Sequence, residues 1–237
     1  MLLEIDGVRL LTDPVLRRRV GPLLRIAPLI GPRAVGRVDG VLLSHLHADH
    51  ADRHTLRVMA LGAKVVAPVG AARWLHRLGL RDIHELRPGD EVDVGGLSVS
   101  ATPAIHERRR RPLGPVAEPI GYLVCGSRSV YFAGDTDLFG EMSGLHRSLD
   151  LALLPVWGWG PSVGKGHLDP ERAARAAAMI KPAVAVPIHW GTFALGRAAA
   201  SRRADPAWPA NEFVSLTHEY APAVEVRLLR PGERSEL

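Results

Sequence analysis

Three histidines and an aspartate lie within six positions of the chain, in the stretch HLHADH. Imidazole nitrogens are the commonest metal ligands in proteins, and carboxylate oxygens bind hard or borderline cations. Four ligands from one tight turn cannot all reach a single ion with good geometry. The spacing therefore predicts two pairs of ligands for two neighbouring ions, His45 with His47 and Asp49 with His50.

A two-metal site needs further ligands, and three candidates occupy comparable places elsewhere in the chain. His106 follows the stretch SVSATPAI, Asp135 follows SVYFAG, and His189 follows AVAVPI. The first cluster likewise follows GVLLS, a short apolar run that predicts a buried strand. Because loops at one edge of a sandwich converge in space, we expect these side chains to meet at one site.

Two neighbouring cations can share a water molecule, lower its pKa toward neutrality and polarise a carbonyl or phosphoryl oxygen. The hydroxide formed in this way is the nucleophile, so the chemistry needs no serine or cysteine. Asp49 is the candidate for a second task, orienting that nucleophile. Histidine and carboxylate ligands favour zinc. The single cysteine, Cys125, lies in a predicted strand and is expected to be a buried, inert thiol.

The composition is that of an ordinary globular protein. Of the 237 residues, 46% are hydrophobic and 23% are charged, which is enough to build a sizeable core. The formal net charge is +5, but the arginines are spread along the chain, so we expect no nucleic-acid partner. One cysteine permits no intrachain disulfide. With no signal-peptide pattern and no transmembrane-length apolar run, we expect a cytoplasmic protein.

Strands and hairpins alternate with helices along the whole chain, and no linker divides it. Helices are predicted at about 52–61, in GAARWLHRLGL, and over 169–181, where Asp169 is the expected N-cap and Pro170 the first helical residue. The pattern predicts one α/β domain over residues 1–237, with two sheets packed together and helices outside. The N-terminal and C-terminal parts would each supply one sheet.

Residues 13–39 carry several prolines and glycines and are predicted to form a long loop. Within it, residues 15–30 mix leucine, isoleucine and arginine. Such a mixture raises the alternative of contact with a lipid surface. The simpler interpretation is a loop that packs over the core with its arginines pointing outward.

The motif SHLHADH, followed by His106, a GDT at 134–136 and His189, resembles the metallo-β-lactamase fold superfamily. The resemblance covers essentially the whole chain and implies an α/β fold, a four-layer αββα sandwich. It also implies two metal ions with a shared bridging carboxylate. By the match of motifs, the first ion would be held by His45, His47 and His106, the second by Asp49, His50 and His189, and Asp135 would bridge them.

A narrower resemblance is carried by GHLDPERAARAA and VPIHWGTFAL, which look like N-acyl-phosphatidylethanolamine-hydrolysing phospholipase D and its bacterial relatives. Sugar-lactone hydrolases belong to the same branch, and the use of manganese by some of them makes that metal the alternative to zinc. The resemblance implies that His167 is an active-site residue, which we expect to contact the substrate or to protonate the leaving group. The alternative is a loop histidine that only supports its turn.

These observations predict a dinuclear metal-dependent hydrolase in which a metal-bridging hydroxide attacks a phosphodiester or a related small-molecule or lipid-like ester. A lactonase or amidase of the same fold is the alternative. Alternatives of another class are a non-catalytic metal-binding protein and a membrane-surface protein. Histidine at position 47 favours hydrolysis, because the iron-using oxidoreductases of the superfamily typically carry an acidic residue there. Nuclease members usually carry a large inserted domain, which does not fit here.

Three further groups of residues are assigned from the sequence. Arg108–Arg111 are predicted either to bind a substrate phosphate or carboxylate, or to form a solvated loop. Trp157 and Trp159 are predicted to wall the pocket or to pack as core. The remaining histidines are expected to lie on the surface or on helices: His54, His76, His84, His146 and His218.

Overall fold

The computed structural model describes residues 1–110, 114–145, 148–160, 162–196 and 205–237. Its strands are β1 (Leu2–Ile5), β2 (Val8–Thr12), β3 (Arg19–Val20), β4 (Leu23–Arg25), β5 (Gly40–Leu42), β6 (Lys64–Pro68), β7 (Ile83–Leu86), β8 (Glu91–Val94), β9 (Leu97–Pro103), β10 (Ile120–Cys125), β11 (Ser129–Phe132), β12 (Leu151–Pro155), β13 (Val184–Ile188), β14 (Phe193–Leu195) and β15 (Glu225–Val226). Its helices are α1 (Pro32–Val35), α2 (Arg53–Met59), α3 (Ala72–His76), α4 (Pro170–Ile180) and α5 (Trp208–Tyr220), with a 3-10 turn at Gly140–Gly144.

Two large sheets divide the chain between them. The first has the order β1-β2-β5-β6-β7, and the second has the order β15-β13-β12-β11-β10-β9-β8. Neighbours from β2 to β7 are parallel, as are β11, β12, β13 and β15, whereas β8 to β11 form antiparallel hairpins. The prediction that the N-terminal and C-terminal parts each supply one sheet is confirmed.

Alternation along the buried strands creates the layers. In β5, Leu42 packs in the core between the two sheets, while Val41 packs against the helices outside. In β12, Leu153 faces the other sheet, and Leu154 faces α4 and α5. Successive strand residues point to opposite faces, so a continuous apolar run is what a strand covered on both sides requires. The result is the predicted four-layer αββα sandwich.

The helices begin where the capping signals indicate. Asp52 accepts a hydrogen bond from the amide of Thr55 at the start of α2, and Asp169 accepts one from the amide of Arg172 at the start of α4. Hairpin turns at Asp6-Gly7 and Gly126-Ser127 join β1 to β2 and β10 to β11. α5 covers the outer face of the second sheet through residues such as Phe213, and the sequence analysis assigned no element there.

The predicted long loop over residues 13–39 is wrong in part. This segment forms the β3–β4 hairpin and the short helix α1, and β4 pairs with β14 in a third, three-stranded sheet. The Arg25 guanidinium lies 4.6 Å over the Phe193 ring of β14 and donates to carbonyls of its own segment. The partner strand lies about 170 positions away, so the local sequence carried no signal for the pairing. Ile26 and Leu29 in the same segment are exposed.

Among the described residues, no helix combines the length and the apolar character that crossing a membrane requires. Cys125 ends β10 and is only partly buried, so the expectation of a fully buried thiol is wrong. A strand end at the rim of the sheet leaves one side of that residue to solvent.

Candidate metal centre

Every predicted ligand lies on a loop at the C-terminal end of a strand. The turn at 45–50 follows β5, His106 follows β9, Asp135 follows β11, and His189 follows β13. Because the two sheets are packed face to face, these strand ends open on the same edge of the sandwich. The structure therefore brings all seven predicted ligands into one cluster.

The cluster separates into the two triads that the sequence analysis proposed. The ligand atoms of His45, His47 and His106 lie within 4.8 Å of one another. The same holds for Asp49, His50 and His189. All four groups of metal-ligand type found among the described residues belong to this edge of the fold. Asp135 lies between the triads, with Oδ2 3.1 Å from His50 Nε2 and 3.5 Å from His189 Nε2.

In the first triad, the rings of His47 and His106 each have an outer nitrogen that donates to a backbone carbonyl and an inner nitrogen that faces the other ring. His47 Nε2 lies 3.1 Å from the carbonyl of Arg109, and His106 Nδ1 lies 2.8 Å from the carbonyl of Gly166. A carbonyl only accepts, so each of these nitrogens carries the ring hydrogen. The other two nitrogens, His47 Nδ1 and His106 Nε2, present lone pairs to each other across 3.0 Å.

That pair has no proton between its nitrogens at neutral pH. Burial lowers the pKa of His47, and it lowers the pKa of His106 to about 4. Two facing lone pairs repel unless a cation lies between them. Two nitrogens on one tetrahedral zinc lie about 3.3 Å apart, close to the separation observed here. The donor set therefore fits a metal ion.

The second triad has the same arrangement of outer partners. His50 Nδ1 lies 2.7 Å from Asp13 Oδ2, and His189 Nδ1 lies 2.8 Å from the carbonyl of Trp157. The inner nitrogens, Nε2 of both rings, are 2.9 Å apart. Burial would lower the pKa of His50, but the carboxylates of Asp135 and Asp13 outweigh it and raise this pKa well above its usual value. Metal binding at this triad would need the lone pair of His50 Nε2, so His50 would bind the ion only after losing the proton that the two carboxylates favour.

Two buried atoms of the centre have no hydrogen-bond partner within the described part of the chain, His45 Nε2 and Asp135 Oδ1. The other nitrogen of His45, Nδ1, lies 2.9 Å from Ser44 Oγ, whose hydroxyl is donated to Asp13. A buried polar atom without a partner is costly, and a metal ion satisfies it. These two atoms are thus further observations that fit a metal ion.

The two carboxylates of the centre are suited to bind cations. Burial alone would raise the pKa of Asp135, yet His189 and His50 hold it well below the usual range. Burial likewise opposes ionisation of Asp49, and the same two histidines lower its pKa. Both side chains are therefore ionised at neutral pH and available as ligands.

His167 stands beside the triads rather than within them. Its Nδ1 lies 3.2 Å from the carbonyl of Lys165, and its Nε2 lies 3.5 Å from Asp135 Oδ2. The ring packs edge-on against His106, with 4.6 Å between ring centroids. The preceding residue, Gly166, has φ +78° and accepts the His106 hydrogen bond, so the loop that carries His167 is fastened to a metal-ligand side chain.

Asp13 is a candidate functional residue that the sequence analysis missed. It follows β2 at the same edge, and its carboxylate joins His50, the Ser44 hydroxyl and the Ser44 amide. A carboxylate that accepts from a metal-ligating histidine fixes the ring and raises its basicity as a ligand. The sequence could have indicated Asp13, because it directly follows an apolar strand and the predicted ligands also follow strands.

Replacing Asp13 with asparagine is expected to weaken binding of one metal ion about 10–100-fold, because the His50 ring loses its anionic partner. Competition with a chromophoric chelator measures this affinity. The matched control is Asp82→Asn, which removes the carboxylate of an exposed aspartate–histidine pair with His84. Equal metal affinities in the Asp13 variant and the wild-type protein would contradict the assigned role.

Within the described part of the arginine run, Arg108 and Arg110 have separate partners. Arg108 pairs with Glu118 at 2.9 Å. Arg110 donates to the carbonyls of Leu46 and Ala51 in the ligand turn, and its guanidinium lies 4.9 Å over the Trp74 ring. Arg110 thus stabilises the backbone of the predicted ligand turn at 45–50, a role that the sequence analysis did not consider. Arg111 lies outside the described residues.

The two tryptophans flank the second triad. The Trp157 carbonyl accepts from His189, and its indole nitrogen donates to the carbonyl of Gly160. The Trp159 indole nitrogen donates to Asp49 Oδ2. Of the histidines expected outside the site, those in the described chain lie on helices or, for His84, on β7: His54, His76, His84 and His218. His146 lies outside the described residues.

Comparison with known proteins gives a consistent family. The model of the beta-lactamase superfamily domain matches residues 8–190. A UPF0173 metal-dependent hydrolase of Methanopyrus kandleri is 32% identical over 98% of this chain and 94% of its own length. One of Pelotomaculum thermopropionicum is 33% identical over 92% of this chain and 91% of its own. The solved structure of Igni18, a metallo hydrolase of Ignicoccus hospitalis, is 28% identical, with a TM-score of 0.71 over 98% of this chain and 91% of that one.

Proposed function

The chain belongs to the UPF0173 metal-dependent hydrolases of the metallo-β-lactamase superfamily, and on that premise we propose that it is a dinuclear enzyme that hydrolyses an ester. The observation that carries the proposal is the pairing of inner imidazole nitrogens on both sides of Asp135. Each pair turns its inner nitrogens toward a space that a cation suits, and the buried carboxylate between them is suited to contact both ions. Zinc is the proposed metal, with manganese as the alternative.

The proposed metal ligands form two sets, one for each ion. His45, His47 and His106 would hold one ion, Asp49, His50 and His189 the other, and Asp135 both. Two bound ions supply an activated water nucleophile and a Lewis acid for the scissile group.

Two side chains handle the reacting groups themselves. Asp49 is proposed to orient the nucleophile, and its Oδ2 lies 3.8–3.9 Å from the inner nitrogens of His50 and His189. His167 is proposed to transfer a proton to the leaving oxygen, and its Nε2 lies 3.5 Å from Asp135 Oδ2.

The proposed substrate is a phosphodiester or a related ester. The likeness of GHLDPERAARAA to the phospholipase D branch supports a phosphodiester, and the nearness of His167 to Asp135 is consistent with it. A lactone or carboxylic ester is the second candidate. It is favoured by the engagement of Arg108 and Arg110 elsewhere, because an anionic substrate gains from free guanidinium groups near the metals.

The proposal is tested by metal analysis joined to a substrate screen. Protein loaded with zinc is expected to hold two ions per chain, to lose turnover when a chelator removes them, and to regain it on reloading. Zinc- and manganese-loaded samples are then compared on bis-p-nitrophenyl phosphate, lactones, β-lactams and thioesters. No more than one bound ion per chain after zinc reconstitution would overturn the dinuclear proposal, and turnover confined to lactones would replace the phosphodiester with the second candidate.

A further inference from the structure

Trp159 joins the protein surface to the metal centre. The residue lies on the loop between β12 and α4, and its indole nitrogen donates to Asp49 Oδ2 at 2.8 Å. The side chain is nevertheless 40% exposed. The large apolar ring is therefore open to solvent on one side, while its N–H is hydrogen-bonded to a partly buried carboxylate.

The indole hydrogen bond acts on the oxygen that faces the second triad. Oδ2 of Asp49 lies 3.8 Å from His50 Nε2 and 3.9 Å from His189 Nε2. A carboxylate oxygen accepts more than one partner, whereas an indole nitrogen only donates. The bond from Trp159 therefore occupies one acceptor direction of Oδ2 and leaves another for a ligand held by the histidines.

The loop that carries Trp159 is itself fixed. The Trp157 carbonyl accepts from His189 Nδ1 at 2.8 Å, and the Trp159 carbonyl accepts from the amide of Leu195 in β14 at 3.4 Å. Two of the three side chains of the second triad thus receive a hydrogen bond from, or give one to, the same short loop. The loop sets the positions of Asp49 and His189 together.

The exposed part of Trp159 is its apolar ring, which lies next to the Asp49 carboxylate. An apolar side chain therefore stands open to solvent beside the second triad. Exposed apolar groups next to convergent polar groups are typical of ligand sites, where the apolar surface takes the non-reacting part of the ligand.

We propose that Trp159 is a positioning and specificity residue: its indole N–H orients the Asp49 carboxylate, and its ring receives the apolar acyl or alkyl part of an ester substrate. The specificity half rests on the proposed function, including its ester substrate. The positioning half rests on the proposed metal centre alone and stands whatever the substrate is.

The positioning half is tested by Trp159→Phe, which keeps an apolar ring and removes the N–H donor. We expect the variant to bind its weaker-held zinc ion about 10–100-fold less tightly in competition with a chelator, as for other outer partners of metal ligands. We also expect kcat to fall while KM stays within about twofold, because the ring remains. The matched control is Trp208→Phe, which changes an exposed tryptophan that packs on Trp157, keeps an aromatic ring there and leaves the Asp49 hydrogen bond in place. It is expected to leave both zinc affinities unchanged. Unchanged affinities in Trp159→Phe would overturn the positioning role.

The specificity half is tested by Trp159→Ala on the p-nitrophenyl series that the wild-type protein hydrolyses, either carboxylic esters of increasing acyl length or phosphodiesters of increasing alkyl length. The ratio of kcat/KM for the longest chain to that for the shortest is expected to fall at least about tenfold in Trp159→Ala and to stay near the wild-type value in Trp159→Phe. An unchanged ratio in Trp159→Ala would overturn the specificity role. If the zinc-loaded wild-type protein hydrolyses no ester, the proposed function and the specificity half fail together, while the zinc affinities still decide the positioning half.

Discussion

Asp135→Asn is expected to lower kcat/KM by about 10³-fold or more, the effect of losing several kcal/mol of charge stabilisation at a metal centre. Asp135 is 3% exposed, and its Oδ2 lies within 3.5 Å of the inner nitrogens of His50, His189 and His167. No other carboxylate in the described residues comes this near to all three. Asparagine keeps the shape, removes the negative charge and can place an N–H where a ligand oxygen stood.

Zinc content measured beside steady-state turnover separates the causes of this loss. We expect Asp135→Asn to retain at most one tightly bound ion per chain. Asp137→Asn is the control for damage to the loop itself, since Asp137 lies two positions away and accepts from Arg172 at 2.6 Å. That variant is expected to change turnover by well under tenfold. Full zinc content and turnover within tenfold of wild type in Asp135→Asn would show that Asp135 is not a metal ligand.

His167→Ala is expected to lower kcat about 10²–10⁴-fold for esters with alcohol leaving groups, the usual contribution of a positioned general acid. The loop carbonyls of Lys165 and Gly164 lie at its Nδ1, so Nε2 is the atom turned toward Asp135. An alkoxide needs a proton as it leaves, whereas p-nitrophenolate does not. The loss is therefore expected to be much smaller for p-nitrophenyl esters.

The comparison of leaving groups distinguishes proton transfer from support of the fold. Both zinc ions should remain bound in His167→Ala, because His167 lies outside both triads. His54→Ala, on the exposed surface of α2, is the control for removing a histidine without touching the centre. Equal losses with both leaving groups would assign His167 to binding, and undiminished turnover with both ions present would leave it as a loop residue.

Much of the architecture was predictable because the relevant signals are local. Strands that are buried on both faces, such as β5, β12 and β13, are recognisable as short apolar runs. The N-cap residues Asp52 and Asp169 mark the starts of α2 and α4. The prediction of a long loop over residues 13–39 was wrong for the opposite reason. Its strands are two and three residues long, and β4 is ordered by pairing with β14 near the other end of the chain. No local periodicity encodes a partner that distant.

The sequence by itself determined which residue types stand at the ends of the buried strands, and hence the seven side chains that meet. The tertiary structure decided how each of them is used. Asp13 reaches His50 across 37 positions, the Gly166 carbonyl reaches His106 across 60, and Trp159 reaches Asp49 across 110. These contacts choose which nitrogen of each ring faces inward and which carboxylate oxygen is free. The physical reason is that the direction of each hydrogen bond depends on atoms that come together only when the two sheets pack. The ends of strands, in contrast, can be predicted from the local pattern of apolar residues.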